Sequence, residues 1–370
     1  MPRFLHTADW QIGRQYSRFA PEDALALAEA RFSTVERIAQ LASAEAVDAV
    51  LVAGDVFDAQ TVSDRTLRRL FNALQGFAGP WIMIPGNHDA ALAESVWSRA
   101  QRLQAVPDNV HLALTPGVLA FPAQGFAILS APLTQRQTHY DLTEWFDQAE
   151  TAPGLLRIGL AHGSVQGILA ESIDSPNPIA PDRAQRARLD YLALGDWHGA
   201  KQIDARTWYS GTPEPERFKN NGAGQVLAVE IAGAGAEPQV SAHAVGQFVW
   251  EQWSESLAVA SDLDLLLQRI EALPANTVLD LTLSGQIDLA GQQRLEQALS
   301  VAEARHRSVQ CHTQALRLHP TEADIAALNA DGYLGEVITE LRGSDEDRAH
   351  DALAILAGLL RERQQPGDVA

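Results

Sequence analysis

The residues with the clearest chemical potential are Asn87, His88 and Asp89, which closely follow the apolar run 81–84. An amide oxygen and a carboxylate can bind a hard divalent cation, and an imidazole can bind a metal or donate a proton. Gly86 is expected to turn the chain sharply after a strand, because glycine adopts positive φ at little cost. Alone, these four residues could also form a polar turn without chemistry, so their meaning depends on their neighbours in the fold.

Four other apolar runs end in side chains of the same kind. Two divalent cations held about 4 Å apart by a shared carboxylate need several such ligands, so this set predicts a two-metal site. Imidazole mixed with carboxylate and amide oxygens suits manganese, iron or zinc better than calcium. The four segments are Asp9-Trp10-Gln11, Gly54-Asp55, His162-Gly163 and Gly195-Asp196-Trp197-His198.

The hydrophobic pattern predicts the elements that position these side chains. Buried strands at 3–8, 47–53 and 81–85 alternate with amphipathic helices at 22–46 and 63–77. This alternation predicts a parallel α/β sheet with helices on its faces. Ligands of such sheets gather at the carboxyl ends of the strands, so the side chains that follow the strands should meet there.

The rest of the chain predicts further strands and then a change of organisation. Short strands are expected within 110–131, at 155–161 and at 191–194, with a helix near 142–149 and closing strands within 201–243. From residue 248 a strand, helix, strand, helix, strand pattern predicts a small α+β domain, and two apolar stripes predict helices at the end. The predicted domains are residues 1–245, 246–320 and 321–370.

Length and composition limit the classes of protein to which this chain can belong. A chain of 370 residues, 46% hydrophobic and 20% charged, is expected to be soluble and to form two or three domains. No run approaches the roughly 18 apolar residues of a membrane span, and no export signal precedes the first strand. The single cysteine, Cys311, excludes a disulfide framework within the chain and a cysteine-based zinc cluster. These features predict a cytoplasmic protein.

The net charge of −19 constrains the partners. Proteins that bind a phosphate backbone usually carry a basic footprint, and this chain as a whole does not. If the protein acts on nucleic acid, bound metal ions, local basic patches or a basic partner must supply the attraction.

The motifs resemble those of the calcineurin-like metallophosphoesterases, and among them most closely the SbcD-type subunits of DNA repair exonucleases. The resemblance is specific over residues 1–245 and concerns only the layout beyond. It implies a two-sheet α/β sandwich with a small α+β capping domain and C-terminal helices. It rests on His6-Thr7-Ala8-Asp9-Trp10, Gly54-Asp55-Val56-Phe57-Asp58, Gly86-Asn87-His88-Asp89, Ala161-His162-Gly163, Leu194-Gly195-Asp196-Trp197-His198 and Tyr209-Ser210-Gly211-Thr212-Pro213.

The resemblance implies two metal sites that share the carboxylate of Asp55. It also implies that His88 donates a proton to the leaving oxygen of a phosphoester and that Asp89 orients His88. Each metal site would have four ligands: Asp9, Gln11, Asp55 and His198 in the first, and Asp55, Asn87, His162 and Asp196 in the second.

The chain departs from the family pattern at Gln11 and Asp196, where the family usually has histidine. Asp196 is a competent replacement, because it exchanges a nitrogen ligand for an anionic oxygen. Gln11 offers an amide oxygen, a poorer ligand than imidazole for transition metals. Either the first site is weaker, or Gln11 lies beside the ligands and water takes its position. A degenerate and inactive nuclease is the alternative, although the other ligand positions are kept.

The resulting hypothesis is a DNA phosphodiesterase that works with two divalent ions, manganese first and iron or zinc as alternatives. The resemblance implies an exonuclease or endonuclease in DNA repair, homodimeric and bound to an SMC-type ATPase of the SbcC kind. The C-terminal stripes could dock that ATPase or pack on their own domain. The metal ligands alone support only phosphoester hydrolysis. An enzyme for small phosphoesters and a non-catalytic architectural subunit therefore stay open.

Overall fold

The computed structural model divides into two compact units, Met1–Phe248 and Val249–Ala370. All five predicted ligand segments belong to the first unit. The residues that the structure describes are 1–168, 176–321, 324, 333–343 and 347–364.

The first sheet of the first unit contains the three strands that were predicted to be parallel. Strands β1 to β4 run parallel, and β13 and β14 continue the sheet antiparallel beyond β1, in the order β14-β13-β1-β2-β3-β4. The strands are β1 (Arg3–Thr7), β2 (Ala49–Ala53), β3 (Trp81–Ile84), β4 (Val110–Leu112), β13 (Gln225–Glu230) and β14 (Gln239–Ala244). The helices that connect them are α1 (Pro21–Ala44), α2 (Asp64–Ala73) and α3 (Val96–Arg102).

The second sheet also has six strands, in the order β11-β12-β10-β7-β6-β5. Its four inner strands are parallel, and β11 and β5 pair antiparallel at its edges. They are β5 (Gly117–Phe121), β6 (Phe126–Ala131), β7 (Leu156–His162), β10 (Tyr191–Gly195), β11 (Lys201–Gln202) and β12 (Thr207–Tyr209). A two-stranded ladder of β8 (Ser164–Val165) and β9 (Pro178–Ile179), the short helix α4 (Arg183–Arg186) and a 3-10 turn (Glu144–Asp147) complete this side.

The two sheets pack face to face through one apolar layer. Successive residues of a strand point to opposite faces, so Leu51 enters this layer while Val50 and Val52 face the helices α1 to α3. Ile128 and Ile158 reach the same layer from the second sheet and are fully buried. The predicted two-sheet α/β sandwich is confirmed, and the helices α1 to α3 cover the outer face of the first sheet.

The second unit contains a parallel three-stranded sheet, with β16 between β15 and β17. Leu263, Leu266 and Ile270 pack with Leu279 and Leu281 in its core. Among the described helices, none has the length and apolarity needed to cross a membrane. The elements are β15 (Val249–Leu257), α5 (Ala260–Ala272), β16 (Thr277–Ile287), α6 (Leu289–Arg305), β17 (Ser308–Leu318), α7 (Tyr333–Arg342) and α8 (Asp347–Gln364).

Candidate metal centre

The carboxyl ends of β1, β2, β3, β7 and β10 meet at one edge of the sandwich. Asp9 N donates to the carbonyl of Gly54 at 3.0 Å, which joins the loops after β1 and β2. Asp196 N lies 3.2 Å from Asp9 Oδ1, and His162 Nδ1 lies 2.8 Å from the carbonyl oxygen of Ala53. Both contacts join the two sheets, so the structure brings the predicted segments together.

Backbone strain is concentrated at this edge. Asp9, Gln11, Asp55 and Asp196 have φ values of 54°, 45°, 51° and 100°. Residues with a side chain rarely adopt this left-handed region, and each instance costs about 1–3 kcal/mol. Three of the four are aspartates, whose short polar side chains tolerate the conformation better than most. The positive φ values of Asp9, Asp55 and Asp196 turn the chain within two residues of the ends of β1, β2 and β10.

Gly86 is needed at this edge for a reason that the sequence did not indicate. The expectation of a positive φ is wrong, because Gly86 lies outside the left-handed region. A Cβ atom at this position would instead lie 2.2 Å from Asp55 Oδ1. His88 N donates to the same Asp55 oxygen at 2.9 Å. The loop after β3 therefore wraps closely around the Asp55 carboxylate, and only glycine leaves room for it.

The side chains at the centre of the edge can hold a divalent cation. Ligand atoms of Asp9, Asp55 and His162 all lie within 4.8 Å of one another. His162 Nδ1 donates to a backbone carbonyl, so in the neutral ring Nε2 presents its lone pair to the site. That Nε2 lies 2.9 Å from Asn87 Oδ1 and 3.8 Å from Asp196 Oδ1. When the ring is neutral, these lone pairs converge on one point, where a cation can bind in place of the Nε2 proton.

The electrostatics of the site agree with this fit. Burial raises the pKa of Asp9 to about 6, although His198 and His162 act in the opposite direction. Burial alone would lower the pKa of His162, but the carboxylates of Asp55, Asp9 and Asp196 outweigh it and raise the pKa to about 9. The carboxylates therefore favour a positive charge at His162, and a divalent ion bound beside them would supply that charge instead.

Asp89 has a different partner from the one predicted. Its Oδ1 accepts from Gly86 N at 2.7 Å, and its Oδ2 accepts from the amides of Val56 and Phe57 at 2.9 and 3.1 Å. The fully buried carboxylate thus ties the loop after β3 to the loop after β2. The prediction that Asp89 orients His88 is wrong, because these backbone amides hold both of its oxygens.

His88 lies at the mouth of the site and is oriented by a backbone group. Its Nδ1 donates to the carbonyl oxygen of Asp58 at 2.8 Å. Its Nε2 lies 4.0 Å from Asp55 Oδ2, and 40% of its side chain is exposed. With Nδ1 committed to the carbonyl, Nε2 is the atom that can exchange a proton with a bound molecule.

Two residues that the sequence pattern did not single out as site residues adjoin the ligands, Glu216 and Arg14. The carboxylate of Glu216 accepts from His198 Nδ1 at 2.6 Å and is only 2% exposed. On the other side, Gln11 Nε2 lies 3.3 Å from His198 Nε2, while Gln11 Oε1 accepts from Arg14 at 2.7 Å. The sequence held one hint, since Glu216 closely follows the stretch Tyr209–Pro213 that belongs to the family motifs.

The family model for calcineurin-like phosphoesterases matches residues 2–218, which include every residue described at this edge. The chain belongs to the calcineurin-like phosphoesterase family. The predicted family resemblance is confirmed. Membership of this family makes the protein a hydrolase and implies divalent metals, for which Asp9, Asp55 and His162 offer a site.

Three relatives of this calcineurin-like phosphoesterase illustrate its position in the family. It is 39% identical over 293 residues to the SbcD component of the nuclease SbcCD from Rhodobacter capsulatus, covering 64% of this chain and 68% of that protein. It is 26% identical over 283 residues to the uncharacterized metallophosphoesterase YhaO of Bacillus subtilis, covering 72% and 66%. It is 28% identical over 254 residues to the DNA double-strand break repair protein Mre11 of Aeropyrum pernix, covering 63% and 59%. The chain thus spans roughly two thirds of the length of these relatives.

Proposed function

We propose that this protein is a metal-dependent DNA phosphodiesterase, an exonuclease or endonuclease of DNA repair. The observation that carries the proposal is the convergence of five strand ends from two sheets on one cluster of buried carboxylates and imidazoles. Such a cluster suits phosphoester hydrolysis, in which negative charge develops on the phosphoryl oxygens and must be neutralised.

The proposed ligands follow from the position of each side chain. Asp55 lies centrally and would be shared between two divalent ions, which would supply Lewis-acid polarisation of the phosphate. Manganese is proposed first, with iron or zinc as alternatives, because oxygen and imidazole donors are mixed. The proposed sites are Asp9, Asp55 and His198, with Gln11 beside them, and Asp55, Asn87, His162 and Asp196.

His88 is proposed as the proton donor. Because its Nδ1 proton is held by the Asp58 carbonyl, a second proton on Nε2 would face a substrate at the exposed mouth of the site. This proton would pass to the leaving oxygen as the phosphorus–oxygen bond breaks. Asp89 is proposed to act only by holding the loop that carries His88.

The choice of DNA as the substrate rests on the relatives. One is named as part of a nuclease and another as a double-strand break repair protein. The net charge of −19 gives the chain no basic footprint of its own. We therefore expect bound cations and a basic partner to supply much of the attraction to the phosphate backbone.

We also propose a partner and a domain organisation. The name of the Rhodobacter capsulatus relative marks it as one component of the nuclease SbcCD, which supports an SbcC-like SMC-type ATPase as the partner here. Residues 1–245 would form the nuclease domain and the homodimer contact, 246–320 the capping domain, and 321–370 the ATPase-docking segment. Part of that last segment lies outside the described residues. Sedimentation of the chain alone and with the ATPase tests both associations.

The decisive experiment is manganese-dependent digestion of end-labelled single- and double-stranded DNA by wild type and His88→Ala. We expect cleavage by wild type and a loss of about 100- to 10,000-fold in the variant, the usual effect of a positioned acid. Because the side chain is 40% exposed, the variant should keep its stability and its metal content.

Two other outcomes of this experiment would contradict the proposal. Turnover of a small phosphodiester without DNA cleavage would make the protein an enzyme for small phosphoesters. Absence of both activities, together with little bound metal by elemental analysis, would make it a non-catalytic subunit of the ATPase complex.

A further inference from the structure

A polar cluster flanks one side of the metal centre and consists of Gln11, Arg14, Asp58 and Glu216. Arg14 joins its members, because Nη1 donates to Gln11 Oε1 at 2.7 Å and to Asp58 Oδ1 at 3.3 Å. Its Nε lies 3.1 Å from Glu216 Oε2. The cluster also contacts His198, through Gln11 and through Glu216.

The contact with Arg14 decides how the Gln11 amide is oriented. A guanidinium group only donates hydrogen bonds, so the atom of Gln11 that faces Arg14 must be the oxygen. The amide nitrogen therefore points to His198 Nε2, at 3.3 Å. An amide NH₂ group has no lone pair available for a metal ion. In this orientation Gln11 is a hydrogen-bond donor toward the site and not a ligand.

Glu216 decides in the same way which nitrogen of His198 faces the Gln11 amide. The Glu216 carboxylate only accepts, so the 2.6 Å contact places a proton on His198 Nδ1. In the neutral ring, Nε2 then carries the lone pair that would face a metal. The Gln11 NH₂ group lies at this atom and can donate to it. A cation at the site formed by Asp9, Asp55 and His198 must therefore compete with Gln11 for the His198 lone pair.

Buried residues on the far side of the cluster hold it in place, so Gln11 cannot easily turn away from His198. Arg31 is 1% exposed, and its Nη2 lies 2.9 Å from Glu216 Oε2. Arg31 also donates to the Trp10 carbonyl at 2.7 Å and to the Tyr16 hydroxyl at 2.9 Å. Glu216 is thus fixed, and it fixes Arg14. Turning the Gln11 oxygen toward a metal would break the bond from Arg14 and place the NH₂ group against the guanidinium.

We propose that Arg14 and Gln11 are positioning residues that make the two metal sites unequal, an inference that rests on the proposed function. The site formed by Asp55, Asn87, His162 and Asp196 binds one divalent ion tightly. The site that contains His198 binds the other divalent ion weakly, because Gln11 occupies the imidazole lone pair and the Arg14 charge lies close by. The nuclease is therefore fully loaded only at high metal concentration.

Calorimetric titration of the full chain with Mn²⁺, after chelator treatment, tests the inference directly. We expect two binding steps per chain, the second at least about tenfold weaker than the first. Electron paramagnetic resonance of the same samples should show isolated Mn²⁺ at one equivalent. Spin-coupled pairs should appear only when the second site fills.

Three variants test the roles of the two side chains. Gln11→His replaces the competing donor by a ligand, and Gln11→Glu keeps the bond to Arg14 while it replaces the NH₂ group by an oxygen. Arg14→Ala releases the amide and removes the charge. Each should tighten the second step by about tenfold or more and leave the first step little changed. Arg65→Ala, an exposed arginine of α2, is the matched control and should alter neither step.

Two equally tight sites in the wild type would overturn the inference, and so would a second step that none of the three variants tightens. These binding readouts do not depend on DNA cleavage. Unequal sites in a protein that cleaves no DNA would overturn the proposed nuclease and leave the inference intact. Equal sites in a protein that cleaves DNA would overturn the inference and leave the proposed nuclease intact.

Discussion

Asp55 is the residue on which the proposed chemistry depends most. Its carboxylate is 2% exposed, lies 3.7 Å from His162 Nε2 and accepts from the amide of His88 at 2.9 Å. The loop after β3 closes around it so tightly that Gly86 has no room for a side chain. A group held this firmly can lie between two cations without moving when they bind.

Asp55→Asn is therefore expected to remove activity while the fold survives. The amide keeps the size of the carboxylate but loses the charge that a shared ligand needs. We expect a loss of more than about 100-fold in metal-dependent hydrolysis, together with reduced Mn²⁺ content by elemental analysis. Asp108→Asn, an exposed change in the same unit, is the control. Wild-type activity in Asp55→Asn would exclude Asp55 as the bridge.

Asp89→Ala is expected to act on stability, since Asp89 contacts backbone amides and not His88. Removing the carboxylate leaves three buried amides, of Gly86, Val56 and Phe57, without their acceptor. At about 1–3 kcal/mol for each unsatisfied group, the free energy of unfolding should fall by about 3 kcal/mol or more. Urea denaturation measures this. If Asp89→Ala kept the stability of the wild type but lost activity, Asp89 would instead orient His88, as the family resemblance implied.

At the scale of elements, the second sheet is braced by an ion-pair network around α4. Arg183 is 2% exposed and donates to Asp141 at 2.7 Å and to Asp147 at 2.6 Å. Burial alone would raise the pKa of Asp141, but hydrogen bonds from Thr143, Arg183 and the amide of Ala180 outweigh it and hold the pKa below its usual range. The ionised form of Asp141 thus stabilises the folded state.

The sign of this shift predicts a pH dependence. A carboxyl group whose pKa is lowered by folding contributes stability above its unfolded pKa of about 3.9 and loses it as the pH falls through the folded value. Asp141→Asn should therefore cost about 3 kcal/mol of unfolding free energy at pH 7, and the difference from wild type should shrink below about pH 4. Urea denaturation of wild type and Asp141→Asn at pH 7 and at about pH 3 measures this difference.

The control for this element is Asp182→Asn, which removes only an exposed partner of Arg186. Exposed pairs contribute about 0–1 kcal/mol, so the loss at pH 7 should be small. A cost of Asp141→Asn that stays constant from pH 7 to pH 3 would contradict the role of ionised Asp141.

At the scale of the whole molecule, metal is expected to stabilise one unit and not the other. The ligand group lies in Met1–Phe248, while Val249–Ala370 has its own core around Leu279. At a Mn²⁺ concentration 100 times Kd, binding adds about 2.7 kcal/mol, which corresponds to about 5–10 °C in Tm for a unit of this size. Scanning calorimetry should show one transition that moves with Mn²⁺ and one that does not. Equal shifts in both would contradict this assignment.

The sequence by itself determined the fold class and which strand ends meet at the candidate site. Alternating apolar runs predicted β1, α1, β2, α2 and β3 close to their observed bounds, because periodicity is a local property of the chain. Asp9, Asp55 and Asn87 were likewise expected to lie together, since parallel strands must bring their carboxyl ends to one edge. The helix expected near 142–149 is only a 3-10 turn at Glu144–Asp147, because so short a segment does not favour an α-helix by itself.

Only the tertiary structure decided which atom each of these side chains contacts. Asp89 accepts from amides 32 and 33 residues away, and Glu216 joins Arg31, which is 185 residues distant. Hydrogen-bond partners at such separations follow from how loops pack, and no local pattern encodes them. Gln11 shows the difference most clearly. Its residue type suggested a weak ligand, but the position of the Arg14 guanidinium turned its oxygen away from the site and its nitrogen toward His198.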